Sequence, residues 1–306
     1  MSGLHVEIRG TGPDLVLLHG WALHGGMWGP WLDRLAEHAR LHVIDLPGHG
    51  HSAWRTDVTD LGGLARSVFP HVPRGAAVLG WSLGGMVALE LARQQPQQLG
   101  SLVLVATTPR FVAGDGWKHG MRNDVLDGFA RGLASDYRQT VRLFLALQTL
   151  GDEHATLALR TLRSQLSTRG EPDPRALDTG LGILRDADLR DGLTRISHPV
   201  LVIAGARDRL TPPDAGRDLA MRLPSARFSL IERAGHAPFL SHADEVLKEV
   251  LPFLARRSEE PSPALRAPSP ANAGEGEHGP SPAGAGEGAS GDAMALTRGV
   301  RAGREF

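Results

Sequence analysis

Cysteine is absent from all 306 residues, and lysine occurs only twice, at Lys118 and Lys248. Without thiols the chain forms no disulfide, and a thiolate nucleophile, a Cys-ligated zinc and an iron–sulfur cluster are excluded. Any nucleophile is therefore Ser, Thr, Asp, Glu, Lys or His. An excess of charge is equally lacking, since 33 Lys and Arg stand against 34 Asp and Glu for a formal net charge of −1. That balance argues against a general nucleic-acid binder, whose affinity rests on many unpaired basic groups. No apolar run approaches the ~18–20 residues of a membrane span, and Met1 to Glu7 lacks a basic region followed by an apolar stretch. A cytoplasmic monomer with no membrane partner is the expectation.

What is present is 41% hydrophobic residues, ample for a buried core in a chain of this length. From Ser258 to Phe306 the composition shifts, and Ala, Gly, Pro and Ser make up 30 of 49 residues. Too few large apolar side chains remain there to offset ordering entropy, so 258–306 reads as a disordered tail. Within residues 1–257, short apolar runs bounded by turn residues alternate with helix-length segments. This is the pattern of a mainly parallel sheet flanked by helices. The predicted strands are 15–18, 41–44, 76–79, 102–105, 200–204 and 227–231, with helices over 83–93, 213–223 and 243–256.

Between Arg110 and Arg195 the alternation stops, and only amphipathic helical stretches remain. Leu159, Leu162 and Leu166 fall at i, i+3 and i+7, and Phe144, Leu147 and Gln148 cluster similarly. The expected organisation is a core of residues 1–110 and 196–257, with a helical lid over 111–195 inserted between strands. Open α/β sheets bind ligands beyond the carboxyl ends of their strands, which is where such a lid would sit.

The chemistry centres on Gly80-Trp81-Ser82-Leu83-Gly84, directly after an apolar run and directly before a helical one. G-x-S-x-G in a strand–turn–helix context is a nucleophile elbow, with glycines that allow the sharp turn and close backbone approach. A serine hydroxyl needs a base to take its proton and an acid to orient that base, in the chain order Ser, acid, His. Asp208 follows the strand 200–204, and His236 follows the strand 227–231, both in loops at strand ends. Asp214 is a rival acid, Asp208 being closer to its strand; His242 is a rival base, lying farther on toward the last helix. An ordinary turn aspartate and a surface histidine are the blander readings of Asp208 and His236. Three concordant placements favour the triad Ser82, Asp208 and His236. Oxyanion stabilisation needs two amides, one from Leu83 after the nucleophile and a second from Trp21 in the loop His19-Gly20-Trp21. His19 and Asp45 read as turn-stabilising groups.

Taken together, these residues resemble the α/β-hydrolase superfamily. The elbow, His19-Gly20-Trp21, the run Phe144 to Gly151, Gly182 to Arg190 and Gly235-His236-Ala237-Pro238-Phe239 are similar, more narrowly, to the pimeloyl-carrier-protein methyl ester carboxylesterases of biotin synthesis. The resemblance implies hydrolysis of the methyl ester of pimeloyl-[acyl-carrier protein] to methanol and a free carboxylate, with no metal or organic cofactor. It implies an acyl channel lined by Trp81, Phe144 and Gln148, and an acyl-carrier protein gripped by lid arginines. Arg138 and Arg142 are i, i+4, and Arg160 and Arg163 are i, i+3, in a segment of local positive charge suited to phosphate and carboxylate partners. Leu143 and Thr156 stand where the resemblance would place basic residues, and a solvated helix face is the alternative for these arginines. Other readings of the same fold are a general short-chain carboxylesterase and a carbon–carbon bond hydrolase. A non-catalytic ligand receptor is a reading from a different class.

Overall fold

The computed structural model describes residues 3–166 and 168–259. Seven strands build one sheet: β1 (Val6–Arg9), β2 (Asp14–Leu18), β3 (Arg40–Ile44), β4 (Ala76–Trp81), β5 (Leu99–Val105), β6 (Val200–Gly205) and β7 (Ala226–Ile231). Their spatial order is β1-β3-β2-β4-β5-β6-β7. All neighbours run parallel except β1, which pairs antiparallel with β3. This is the mainly parallel, helix-flanked sheet that the apolar runs predict, and it matches the α/β-hydrolase architecture that the resemblance implies.

Continuous apolar runs fit these strands because helices cover both faces of a parallel sheet. Every residue of β5 and β6 is buried. Alternate residues go to opposite faces. Val16, Leu18, Val78, Leu102, Leu104 and Val202 face one apolar layer. Leu15, Leu17, Leu79, Val103, Val105, Leu201 and Ile203 face the other.

The helices among the described residues are α1 (Trp31–Ala36), α2 (Leu61–Val68), α3 (Leu83–Gln94), α4 (Asn123–Gln148), α5 (Ala155–Gln165), α6 (Pro174–Asp186), α7 (Pro213–Arg222), α8 (Pro238–Ser241) and α9 (Ala243–Glu259). The first layer includes residues of α2 and α3, the second residues of α1 and α9. Helix α9 runs through Glu259, two residues into the segment expected to be a disordered tail; the rest of that tail, 260–306, lies outside the described residues.

Three elements go beyond the sequence reading. Strand β1 is a four-residue edge with alternating Val6, Glu7, Ile8 and Arg9, only partly buried, and so lacks the long apolar signature of its neighbours. Helix α2 carries Leu61, Leu64, Ala65 and Val68 on its buried side, but Gly62 and Gly63 weaken its helical pattern. Its Asp60 cap accepts from the Gly63 amide at 2.6 Å. Helix α1, six residues long, is too short to show a period.

Between β5 and β6 the chain makes one long helical excursion, α4 to α6. Its two ends meet: Arg110 and Asp188 form an isolated antiparallel bridge, their side chains pair at 3.2 Å, and the Leu189 amide donates to Pro109 O at 2.9 Å. Helix α4 is broken at Asp136 (φ −153°, ψ 89°). There the Asp136 carboxylate accepts from the Gln139 amide at 2.9 Å and caps the second half.

Candidate active site

Ser82 stands between β4 and α3 at φ 55°, ψ −117°, a left-handed conformation rare for a residue with a Cβ. The surrounding chain over-determines it. The Ser82 amide donates to Val105 O at 3.0 Å, and the Ser82 carbonyl accepts from Thr107 Oγ1 at 2.6 Å. The flanking glycines are enforced by close approach: a Cβ at Gly84 would lie 2.1 Å from Leu18 O, and one at Gly80 2.4 Å from Gly84 O. Leu83 opens α3, so its amide is among the first-turn donors that helix geometry leaves without an intrahelical acceptor.

Asp208 is completely buried in the loop after β6. Its carboxylate accepts from the amides of Leu210 (2.8 Å) and Thr211 (3.0 Å), from Thr211 Oγ1 (2.8 Å) and from His236 Nδ1 (2.8 Å). Because a carboxylate only accepts, His236 carries its proton on Nδ1 and keeps the Nε2 lone pair as a base. The rival acid Asp214 lies exposed in the first turn of α7. The rival base His242 lies between α8 and α9, with Nδ1 bonded to Ser241 Oγ at 2.9 Å.

Two further bonds hold His236. Its carbonyl accepts from the Trp81 indole at 2.9 Å, and its amide donates to Gln148 O at 2.9 Å. Trp81 is fully buried against Phe239 and Trp28, with ring centroids 4.8 and 5.9 Å away.

The His19–Trp21 loop lies against Ser82, since a Cβ on Gly20 would come 3.3 Å from Ser82 Cβ. His19 is wholly buried, donates from Nδ1 to Gly20 O at 2.8 Å and accepts the Leu46 amide on Nε2 at 2.9 Å. Burial, reinforced by His49, pushes its pKa down to about 3, so it is a neutral brace. Asp45 fastens the adjoining loops, accepting from the Gly25 amide at 2.6 Å, the His51 amide at 3.0 Å and Arg169 at 3.2 Å. Burial opposes the Asp45 charge, but the Gly25 and His51 amides and Arg169 outweigh it and hold the carboxyl below its ordinary value. Arg169 also pairs with Glu7, joining the excursion to β1.

Trp21 donates its indole hydrogen to Leu177 O of α6 at 2.9 Å and meets the Phe144 ring edge-on at 4.8 Å. Gly180 permits this contact, because a Cβ there would lie 2.6 Å from Trp21 Cδ1. Gln148 is 1% exposed, and neither polar atom of its side-chain amide has a hydrogen-bond partner. The predicted residues Trp21, Leu83, Trp81, Phe144 and Gln148 are all buried.

The four arginines expected to grip the carrier protein differ. Arg138 is held bidentately by Glu171 at 2.7 and 2.9 Å, with Tyr137 on the same carboxylate. Arg142, Arg160 and Arg163 are exposed and have no ion pair among the described residues. Sequence reasoning missed Asp152, which accepts the Gly235 amide at 2.6 Å and Ser241 Oγ at 2.7 Å. It also missed Thr211 and Gly180. A Thr three residues after the acid was the only local signal.

The sequence profile described as the alpha/beta hydrolase family matches residues 15–249. A pimeloyl-[acyl-carrier protein] methyl ester esterase of Xanthomonas campestris pv. campestris (strain B100) is 47% identical over 259 residues, covering 82% of this chain and 99% of the relative. The protein of the same name from Stenotrophomonas maltophilia (strain K279a) is 46% identical over 261 residues, covering 83% and 98%. Among solved structures, an esterase from Exiguobacterium antarcticum superposes with a TM-score of 0.75 at 24% identity, covering 84% of this chain and 96% of that one. A hydrolase from Pseudomonas aeruginosa PA01 does so at 0.68 and 28%, covering 82% and 94%.

Proposed function

The chain belongs to the alpha/beta hydrolase family, and from that premise we propose that it is a serine carboxylesterase that cleaves the methyl ester of pimeloyl-[acyl-carrier protein] in biotin synthesis. The observation that carries the substrate is the 47% identity to the Xanthomonas esterase over nearly all of that protein's length. The reaction class is supported by the His236–Asp208 hydrogen bond at 2.8 Å beside an elbow serine.

In this mechanism His236 Nε2 takes the Ser82 hydroxyl proton as Oγ attacks the ester carbonyl. The Leu83 and Trp21 amides hold the oxyanion, and His236 returns the proton to departing methanol. Water then attacks the acyl-enzyme with His236 again as base, releasing the free acid and Ser82. Asp208 keeps the imidazole oriented and stabilises its cation. No step calls on a metal or organic cofactor.

Trp21 and Phe144 form an apolar wall suited to a methylene chain, and Trp81 and Gln148 complete the acyl channel. The segment 111–195 acts as the lid over this channel, above the core of 1–110 and 196–257. Arg142, Arg160 and Arg163 are the arginines available for the carrier protein and its phosphate, because Arg138 is already engaged by Glu171. No helix among the described residues is long and apolar enough to cross a membrane. The functional unit is read as a cytoplasmic monomer, which light scattering tests.

Methanol release from the carrier-bound methyl ester, compared with a free short-chain ester for wild type, Ser82→Ala and Arg160→Ala, tests the assignment. Wild type favours the carrier substrate, Arg160→Ala weakens that preference, and Ser82→Ala is inactive. Equal turnover of the free ester, indifferent to Arg160, marks a general carboxylesterase instead. Retained hydrolysis in Ser82→Ala removes the nucleophile assignment.

A further inference from the structure

Where the α4–α5 turn meets the α8–α9 junction, two histidines and a glutamate converge, none of them a residue of the Ser82, Asp208 and His236 set. Glu153 and His154 lie in the turn between α4 and α5, and His242 lies between α8 and α9. One ligand atom of each lies within 4.8 Å of the others. The His242 side chain is 3% exposed, and its Nε2 has no hydrogen-bond partner. Facing it at 3.7 Å is Glu153 Oε2, too far for a hydrogen bond.

Hydrogen bonding places one His242 proton on Nδ1. Ser241 Oγ donates to Asp152 Oδ2 at 2.7 Å, so toward His242 Nδ1, 2.9 Å away, Ser241 Oγ can only accept. The His242 proton therefore sits on Nδ1, and in the neutral ring Nε2 is a bare lone pair. Two acceptors then point at each other, Nε2 and a carboxylate oxygen, with the exposed His154 ring beside them at a centroid distance of 5.1 Å. A cation satisfies all three. A carboxylate–hydroxyl–imidazole relay is also the outer-shell arrangement that orients metal-ligating histidines.

We propose that Glu153, His154 and His242 form a binding site for a divalent transition-metal ion, best matched by Zn²⁺, that ties the helical excursion to the core. Imidazole nitrogens favour zinc and its transition-metal neighbours over Mg²⁺ and Ca²⁺. Three protein ligands leave a fourth position for water in a tetrahedral site. With bonds of about 2.0–2.2 Å, closure asks only that the two exposed side chains shift toward buried His242. Glu153 keeps Oε2 for the ion while Oε1 stays with Arg233 at 3.0 Å, and its amide is fixed on Arg233 O at 2.9 Å. The consequence reaches the esterase site indirectly, since Asp152 also anchors the amide of Gly235, next to His236. The ion would act as a brace, without touching the substrate.

The test is titration of the metal-free full-length protein with ZnCl₂ by calorimetry, with Co²⁺ as a spectroscopic stand-in. Wild type binds one equivalent more tightly than any other site, its melting temperature rises with Zn²⁺, and bound Co²⁺ shows visible ligand-field bands. His154→Ala is the principal variant, because His154 is exposed and its side chain makes no cap bond to α5. It weakens that equivalent at least about 100-fold and abolishes the thermal shift and the Co²⁺ bands. Ser241→Ala, which removes only the relay, weakens binding about 10–100-fold. Identical zinc stoichiometry and affinity in wild type and His154→Ala, or no zinc-dependent thermal shift in wild type, overturns the site and leaves a protonated His242 paired with Glu153. Esterase activity plays no part in these readouts.

Discussion

The indole of Trp81 donates a hydrogen bond of 2.9 Å to the backbone carbonyl of His236, so the residue preceding the elbow serine holds the loop that carries His236. The same histidine is bonded through Nδ1 to Asp208. Its ring is thus fixed from the main chain and from the side chain independently.

Asp208→Asn should separate these two supports. The asparagine retains one oxygen, Oδ1, for the Leu210 and Thr211 amides, but the NH₂ that replaces Oδ2 cannot accept the Nδ1 proton, so the wrong imidazole tautomer is favoured. A fall in kcat of about 10⁴-fold with little change in KM is expected, on the scale known for triad aspartates. Steady-state kinetics together with a thermal melt checks it. A fall of less than about tenfold would make Asp208 a loop anchor only.

Gly180→Ala pits helix propensity against packing. Alanine gains about 1 kcal/mol in a helix interior, but its Cβ would meet Trp21 Cδ1 at 2.6 Å. Overpacking of this kind costs about 1–3 kcal/mol. The variant should be less stable by roughly 1 kcal/mol in urea denaturation. Its kcat/KM should fall further than the lost stability explains, because displacing Trp21 moves its loop beside Ser82.

Gln148→Leu should move stability and activity in opposite directions. Both polar atoms of the Gln148 amide are buried without partners, and each such atom costs about 1–3 kcal/mol. An apolar side chain of similar size removes that cost while leaving the Gln148 carbonyl on the His236 amide. The melting temperature should rise and KM for the carrier ester should increase. An unchanged KM would remove Gln148 from the acyl channel.

Acid should destabilise the protein through His19 and His49. Burial pushes their pKa values down to about 3 and about 4 from an ordinary 6.5. Both remain neutral in the folded state while the unfolded chain takes up protons below 6.5. Their contribution to stability is therefore full above pH 6.5 and is lost as the pH falls toward 4. Each histidine adds a slope of about 1.4 kcal/mol per pH unit in that window. His19→Gln, though less stable at pH 8, should show a shallower dependence of unfolding free energy between pH 6.5 and 5.

The sheet and the elbow were legible because their signals are local. An apolar run, G-x-S-x-G and a helical run lie within about twenty residues, and the strand-end loops carrying Asp208 and His236 follow the same rule. Strand β1 was hidden because an edge pairs on one side only, and its alternation of Val6, Glu7, Ile8 and Arg9 is short. The work of Asp152 was hidden for a different reason. It acts on Gly235 and Ser241, more than eighty positions along the chain, and no spacing rule reaches that far. Similarly, nothing around Arg138 in sequence announces Glu171, which occupies it.

The bridge between Arg110 and Asp188 pinches the long excursion shut at its base, with Leu189 bonded to Pro109. Strand pairing between β5 and β6 continues beneath it in uninterrupted parallel register. The sheet therefore meets the excursion as though it were a short loop, whatever lies beyond the pinch. A foreign helical segment joined at these two residues could be grafted onto the scaffold without disturbing its strands. Substrate preference could then be exchanged as a cassette, provided the incoming segment restores carbonyls for the Trp21 indole and the His236 amide, a cation for Asp45 and an acceptor for the Gly235 amide.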